Sequence, residues 1–114
     1  MNTEQFSDIV KKRLSSIETT LCMKAKEYAH GDRLSNFKDA AVLLKSTPEK
    51  ALAGLVIKHI VALYDFINEL EKGSHRPYDY WDEKIGDIMA YMCLLDALIQ
   101  ERNETANIPI KLPK

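Results

Sequence analysis

Glycine and proline are scarce in this chain of 114 residues, four of each, and Gly31, Gly73 and Pro77 fall where helices are expected to break. Cysteine is scarcer. Cys22 and Cys93 stand alone, too few for a zinc motif or a disulfide framework, and are expected to be reduced, buried, small apolar residues. Charge of one sign is also lacking, since 16 basic and 17 acidic residues leave a formal net charge of -1. A protein that grips nucleic acid by its phosphates carries a basic excess or a clustered basic face. Here bases and acids are interleaved, so a DNA or RNA polymer is not an expected partner. No apolar run approaches the ~20 residues of a bilayer span, and the opening MNTEQFSDIVKKR lacks the apolar core of a secretion signal. The expectation is therefore a cytoplasmic protein without a membrane partner. Glycine-rich phosphate loops, HExxH and nucleophile elbows are absent too.

What is there is helical periodicity over a hydrophobic content of 46% and a charged content of 29%, ample for one domain with a real core. Phe6, Ile9, Val10, Leu14, Ile17, Leu21 and Tyr28 recur in steps of three and four, which predicts a helix from about Thr3 to Ala29. His30-Gly31-Asp32 stops it. A short helix follows from Asn36 to Leu44. Thr47-Pro48-Glu49 is the clearest boundary: a capping threonine, a proline at the first helical position and an acid at the positive end. The helix it opens runs to about Lys72 before Gly73. The last helix, about Tyr80 to Arg102, is so apolar that it belongs inside a bundle or at a subunit interface, and a homo-oligomer, by default a dimer, is expected. The fold expected is all-α, a helical bundle of three long helices and one short helix over residues 1–106. An extended tail, 107–114, follows it.

Three clusters could carry chemistry. Glu83 and Asp87 are four apart, so their carboxylates lie one turn apart on one face, an arrangement that suits Mg²⁺. The same pair also fits a solvated first turn. Gly86 between them predicts close approach of another backbone or a ligand, because glycine in a helix costs about 1 kcal/mol against alanine. Lys24, Glu27 and Tyr28 share a face near the end of the first helix, ahead of a loop whose Arg33 can reach a phosphate; an exposed ion pair beside a core tyrosine explains them equally. Lys58 and Asp65 are two turns apart on the middle helix, and His59 falls on its apolar stripe, where a histidine can be structural as well as catalytic.

The order Lys24-x-x-Glu27-Tyr28, Asn36-Phe37, Thr47-Pro48-Glu49-x-Ala51-Leu52-x-Gly54, Lys58-His59 and Trp81-Asp82-Glu83-Lys84-Ile85-Gly86-Asp87-x-x-x-Tyr91 resembles a family of small proteins of phages and prophages of Gram-positive bacteria. More distantly, the layout is similar to the MazG-like all-α nucleoside triphosphate pyrophosphohydrolases. Glu83 and Asp87 match the later acidic motif of that superfamily. Lys84 stands where it has a Glu, and the earlier Glu-Glu-x-x-Glu motif is missing, with Lys58, His59 and Asp65 on the middle helix instead. The resemblance implies a MazG-like bundle acting on nucleotide pools in a bacterial host. It implies Mg²⁺ held by Glu27, Asp65, Glu83 and Asp87, and a water oriented by His59 or Glu83. Lys24, Arg33 and Lys58 would meet phosphate oxygens, with Tyr28 and Asn36 completing the substrate site. The alternatives are a non-catalytic nucleotide- or signal-binding protein and a protein–protein interaction scaffold.

Overall fold

Asn2 opens the first helix. Its side chain accepts the backbone N–H of Gln5 at 2.8 Å, and the Gln5 side chain accepts the N–H of Asn2 at 2.8 Å, a reciprocal cap that satisfies two orphan donors. The cap thus sits one residue before the Thr3 start read from the sequence. The computed structural model describes residues 1–23 and 31–105. Helix α1 is Thr3–Glu18 and continues as a wider π-helical turn, Thr19–Met23. The Thr19 hydroxyl donates back to the Ser15 carbonyl at 3.0 Å, competing with the regular ladder where two β-branched threonines follow each other. The rest of the expected first helix, and the tail from 106 onward, lie outside the described residues.

Helix α2, Ser35–Leu44, starts where Asp32 accepts the N–H of Leu34 at 2.9 Å and ends at Lys45 in the left-handed conformation, φ 52. Helix α3, Pro48–Glu71, is capped by Thr47, whose hydroxyl accepts the N–H of Lys50 at 3.1 Å, as expected from Thr47-Pro48-Glu49. Helix α4, Tyr78–Thr105, begins directly after Pro77, two residues earlier than expected, since proline is well placed ahead of a first turn. No strand occurs among the described residues, and the bundle has three long helices and one short one.

Helices α3 and α4 form an antiparallel hairpin clamped at both ends. At the open end Arg102 donates to both carboxylate oxygens of Glu49, at 2.9 and 2.7 Å. At the turn Arg76 does the same to Glu69, at 2.8 Å twice, while its guanidinium lies 4.4 Å over the Phe66 ring. Between the clamps, Leu34, Phe37, Leu52, Val56 and Leu98 form the buried core, flanked by Tyr91, Leu94 and Leu95. Phe66 is buried against Trp81, ring centroids 5.5 Å apart. The Trp81 indole N–H is buried without an acceptor among the described residues, and its ring lies 6.4 Å from that of His75. Lys38 of α2 bridges Asp32 and Glu101 of α4, and α1 lies along the start of α4.

Two expectations need correcting. Cys22 and Cys93 are both exposed free thiols rather than buried filler. The exposed apolar surface is not confined to α4, where Tyr78, Tyr80, Met92 and Ile99 are exposed: Ile57, Val61 and Tyr64 on α3, Phe6 and Leu14 on α1, and Val42, Leu43 and Leu44 at the end of α2 are each more than half exposed. Helix α3 is long and apolar enough to cross a membrane by length and composition alone, although Lys58 and Asp65 interrupt its run. The expectation that no apolar run approaches the length of a span does not hold for α3.

Leu52 is 1% exposed and Leu43 84%, so Leu52→Ala should cost about 3 kcal/mol and lower the melting temperature by roughly 12 °C. Leu43→Ala should leave it nearly unchanged, which thermal melts followed by circular dichroism will check. The Arg102 and Arg76 guanidinium groups hold the Glu49 and Glu69 carboxyls below their ordinary range. Stability from such groups is fully present above the unfolded value and is lost as pH falls through the folded one. The melting temperature should therefore decline as pH drops below about 4.3, and Glu69→Gln should make that decline shallower.

Candidate functional site

The register of the α3–α4 hairpin sets His59 against Lys84, Asp87 and Tyr91, which share one face of α4 at steps of three and four. His59 Nδ1 lies 3.4 Å from Asp87 Oδ2 and 3.5 Å from Lys84 Nζ. Its ring leans on Tyr91, centroids 5.3 Å apart at 38°. The His59 side chain is 22% exposed and that of Asp87 39%, so the group sits in a seam that water still reaches. An imidazole between a cation and a carboxylate can work in both directions. Neutral, with Nδ1 bare, it accepts from the Lys84 ammonium; protonated, it donates to Asp87.

Asp87 and Tyr91 also border an open cleft of about 310 Å³ between the start of α2 and the middle of α4. Arg33, Asn36, Phe37, Ala90 and Leu94 complete it. Arg33 and Asn36 flank the first residue of α2, so the positive end of that helix lies at the cleft. Leu34, at the capping position, offers no side-chain acceptor to the first turn. Arg33 Nη1 donates to the Leu21 carbonyl at 2.8 Å, which ties the cleft's edge to the π-helical turn. The cleft brings together Arg33, Asn36 and Asp87 of the residues singled out in the sequence, with His59 behind Asp87.

The others are placed differently. Glu83 is exposed on the α1 side of α4, where it shares a smaller cleft of about 150 Å³ with Arg13, Ser16, Thr20, Gly86 and Asp87. Lys58 and Asp65 are exposed on α3, and neither lines the cleft with Arg33. Lys24, Glu27 and Tyr28 lie outside the described residues. Among the described residues no three His, Cys, Asp or Glu side chains gather as metal ligands. The described part of the expected Mg²⁺ set, Asp65, Glu83 and Asp87, therefore does not by itself fit a resident ion: Asp65 stands apart from the other two, and Asp87 already faces His59.

Gly86 does mark a close approach, but of a side chain. Arg13 crosses from α1 to the start of α4, 2.6 Å from Asp82 Oδ1, donating to the Asp82 carbonyl at 3.1 Å and to the Tyr78 hydroxyl at 3.3 Å. A Cβ on residue 86 would meet Arg13 Nη1 at 3.1 Å. Sequence reasoning missed Arg13, because nothing in the local pattern of α1 points to a partner so far along the chain. Tyr91 and Lys84 stood in the Trp81-to-Tyr91 motif, but neither was singled out as a site residue.

No family model, curated protein or solved structure matches the chain. The geometry of the cleft carries the functional reading.

Replacing Gly86 by leucine should displace Arg13 and loosen α1 from α4. Amide hydrogen exchange should then speed up over α1, and Arg13→Ala should reproduce the effect while α3 and α4 keep their protection.

Proposed function

We propose that the cleft between the start of α2 and the middle of α4 binds a nucleotide. The observation that carries the reading is the meeting of Arg33, Asn36, Asp87 and Tyr91 on one open surface, at a helix N-terminus. Each residue suits one part of such a ligand. The Arg33 fork matches phosphate oxygens, and the Tyr91 ring offers a face to a base. The Asn36 amide can donate and accept at a base edge, and the Asp87 carboxylate can accept from a ribose hydroxyl. Lys84 and His59 offset the charge of Asp87, so that it does not repel the phosphates outright. A volume near 310 Å³ is at the small end of ligand pockets and fits part of a mononucleotide better than a long chain.

Pyrophosphohydrolysis of a nucleoside triphosphate is the second reading, favoured by Glu83 and Asp87 sharing one cleft. It needs Mg²⁺ brought in with the substrate's own phosphates, since the described residues gather no ligand set for a resident ion. On either reading the protein acts on nucleotide pools, in keeping with a phage- or prophage-encoded protein in the cytoplasm of a bacterial host.

Calorimetric titration against a panel of nucleotides, with and without Mg²⁺, tests this. Arg33→Ala should weaken binding about 10- to 100-fold, the worth of one charge-assisted hydrogen-bonded contact. Tyr91→Leu, which keeps apolar volume in the seam, should weaken it too, and Lys58→Ala should not. Binding that ignores both cleft substitutions would sink the proposal. Monophosphate that accumulates only with Mg²⁺, and disappears in Asp87→Asn, would establish the hydrolase.

A further inference from the structure

The outward face of α3 is apolar, exposed and nearly uncharged. Ile57, Val61 and Tyr64 are 57%, 54% and 63% exposed, with Ile60 and Ile67 beside them, all within one stripe at helical spacing. Gly54 lies on the same stripe, one turn before Ile57. A Cβ at Gly54 would meet nothing within 4 Å among the described residues, so no packing against them explains a glycine there, and a helix-interior glycine weakens a helix. Close approach of another helix does explain it. The charges between Ile57 and Ile67 are Lys58 and Asp65, one of each sign, both exposed and neither in an ion pair among the described residues.

We propose that two copies of this chain pair through this face of α3, antiparallel about a two-fold axis at Val61 and Ala62. The positions of the two charges select the occupant and the direction. Lys58 and Asp65 are two turns apart, about 10 Å along the axis, and each lies an equal distance from that centre. In an antiparallel crossing Lys58 of each copy comes level with Asp65 of the other, and two-fold symmetry makes the pair twice. A parallel crossing sets lysine against lysine and aspartate against aspartate. The stripe brings Val61 and Tyr64 together at the centre, with Gly54 of one copy near the Ile67 end of the other. This pairing is independent of the nucleotide cleft and assigns Lys58 and Asp65 to partner recognition.

Sedimentation velocity across a wide concentration range tests it, with far-UV circular dichroism to confirm that each variant keeps its helices. The wild-type chain should sediment as a dimer that dissociates on dilution, and Val61→Glu should be monomeric throughout. Lys58→Asp and Asp65→Lys should each weaken the dimer about tenfold, and the double reversal Lys58→Asp/Asp65→Lys should restore it. Three results would overturn the proposal: a wild-type monomer at every concentration, a dimer indifferent to the single reversals, or single-reversal defects that the double reversal leaves unrepaired. Uptake by phosphatidylcholine–phosphatidylglycerol vesicles in place of dimerisation would overturn it as well, and would make the stripe a membrane contact.

Discussion

The register of α4 along α3 is the constraint on which the rest of the molecule depends. Two arginine–glutamate forks set it, one at each end of the hairpin: Glu49 with Arg102 and Glu69 with Arg76. Each fork is bidentate and therefore directional. A slip of α4 by one helical turn, about 5.4 Å, separates Arg102 from Glu49 and lifts Leu98 away from Leu52 and Val56. Individually such partly exposed pairs contribute little. Together they select one alignment out of several that an apolar seam tolerates, while the small buried cluster supplies most of the cohesion.

With that alignment fixed, the polar group follows. Inward of the Glu49 fork, α3 presents His59 toward α4, where it meets Lys84, Asp87 and Tyr91. The seam remains partly wet there, so a cation, an imidazole and a carboxylate sit together without the desolvation that full burial imposes. Helix α2 then determines whether this group is sealed or accessible. Its buried Phe37 anchors it to the core, and its first turn, with Arg33 and Asn36, stands off from α4 enough to leave a cleft.

Much of this was legible in the residues themselves. Thr47-Pro48-Glu49 announced α3 because capping chemistry is local, and the stop at Gly73, with a positive φ of 82, required glycine's freedom. Arg33, Asn36 and Asp87 could be named because they lie in or beside recognisable segments, and the cleft brings them together. Other features had no local signature. Arg13 reaches a helix more than sixty residues away, and Gly86 recorded that approach without naming its source. Helix α3 is apolar on two faces, and periodicity alone does not say which of them α4 covers. For the same reason Asp65, plausible as a ligand by type, proved to stand apart from Glu83 and Asp87.

The surroundings of Trp81 have an optical consequence. It is the single tryptophan of the chain, wedged beside the buried Phe66 at the α3–α4 turn with the imidazole of His75 close by. A shielded indole emits at shorter wavelength than a hydrated one, and a protonated imidazole nearby quenches it. The protein thus carries a native fluorophore at the clamp where Arg76 meets Glu69. Its colour and brightness report the closure of the hairpin turn without any label.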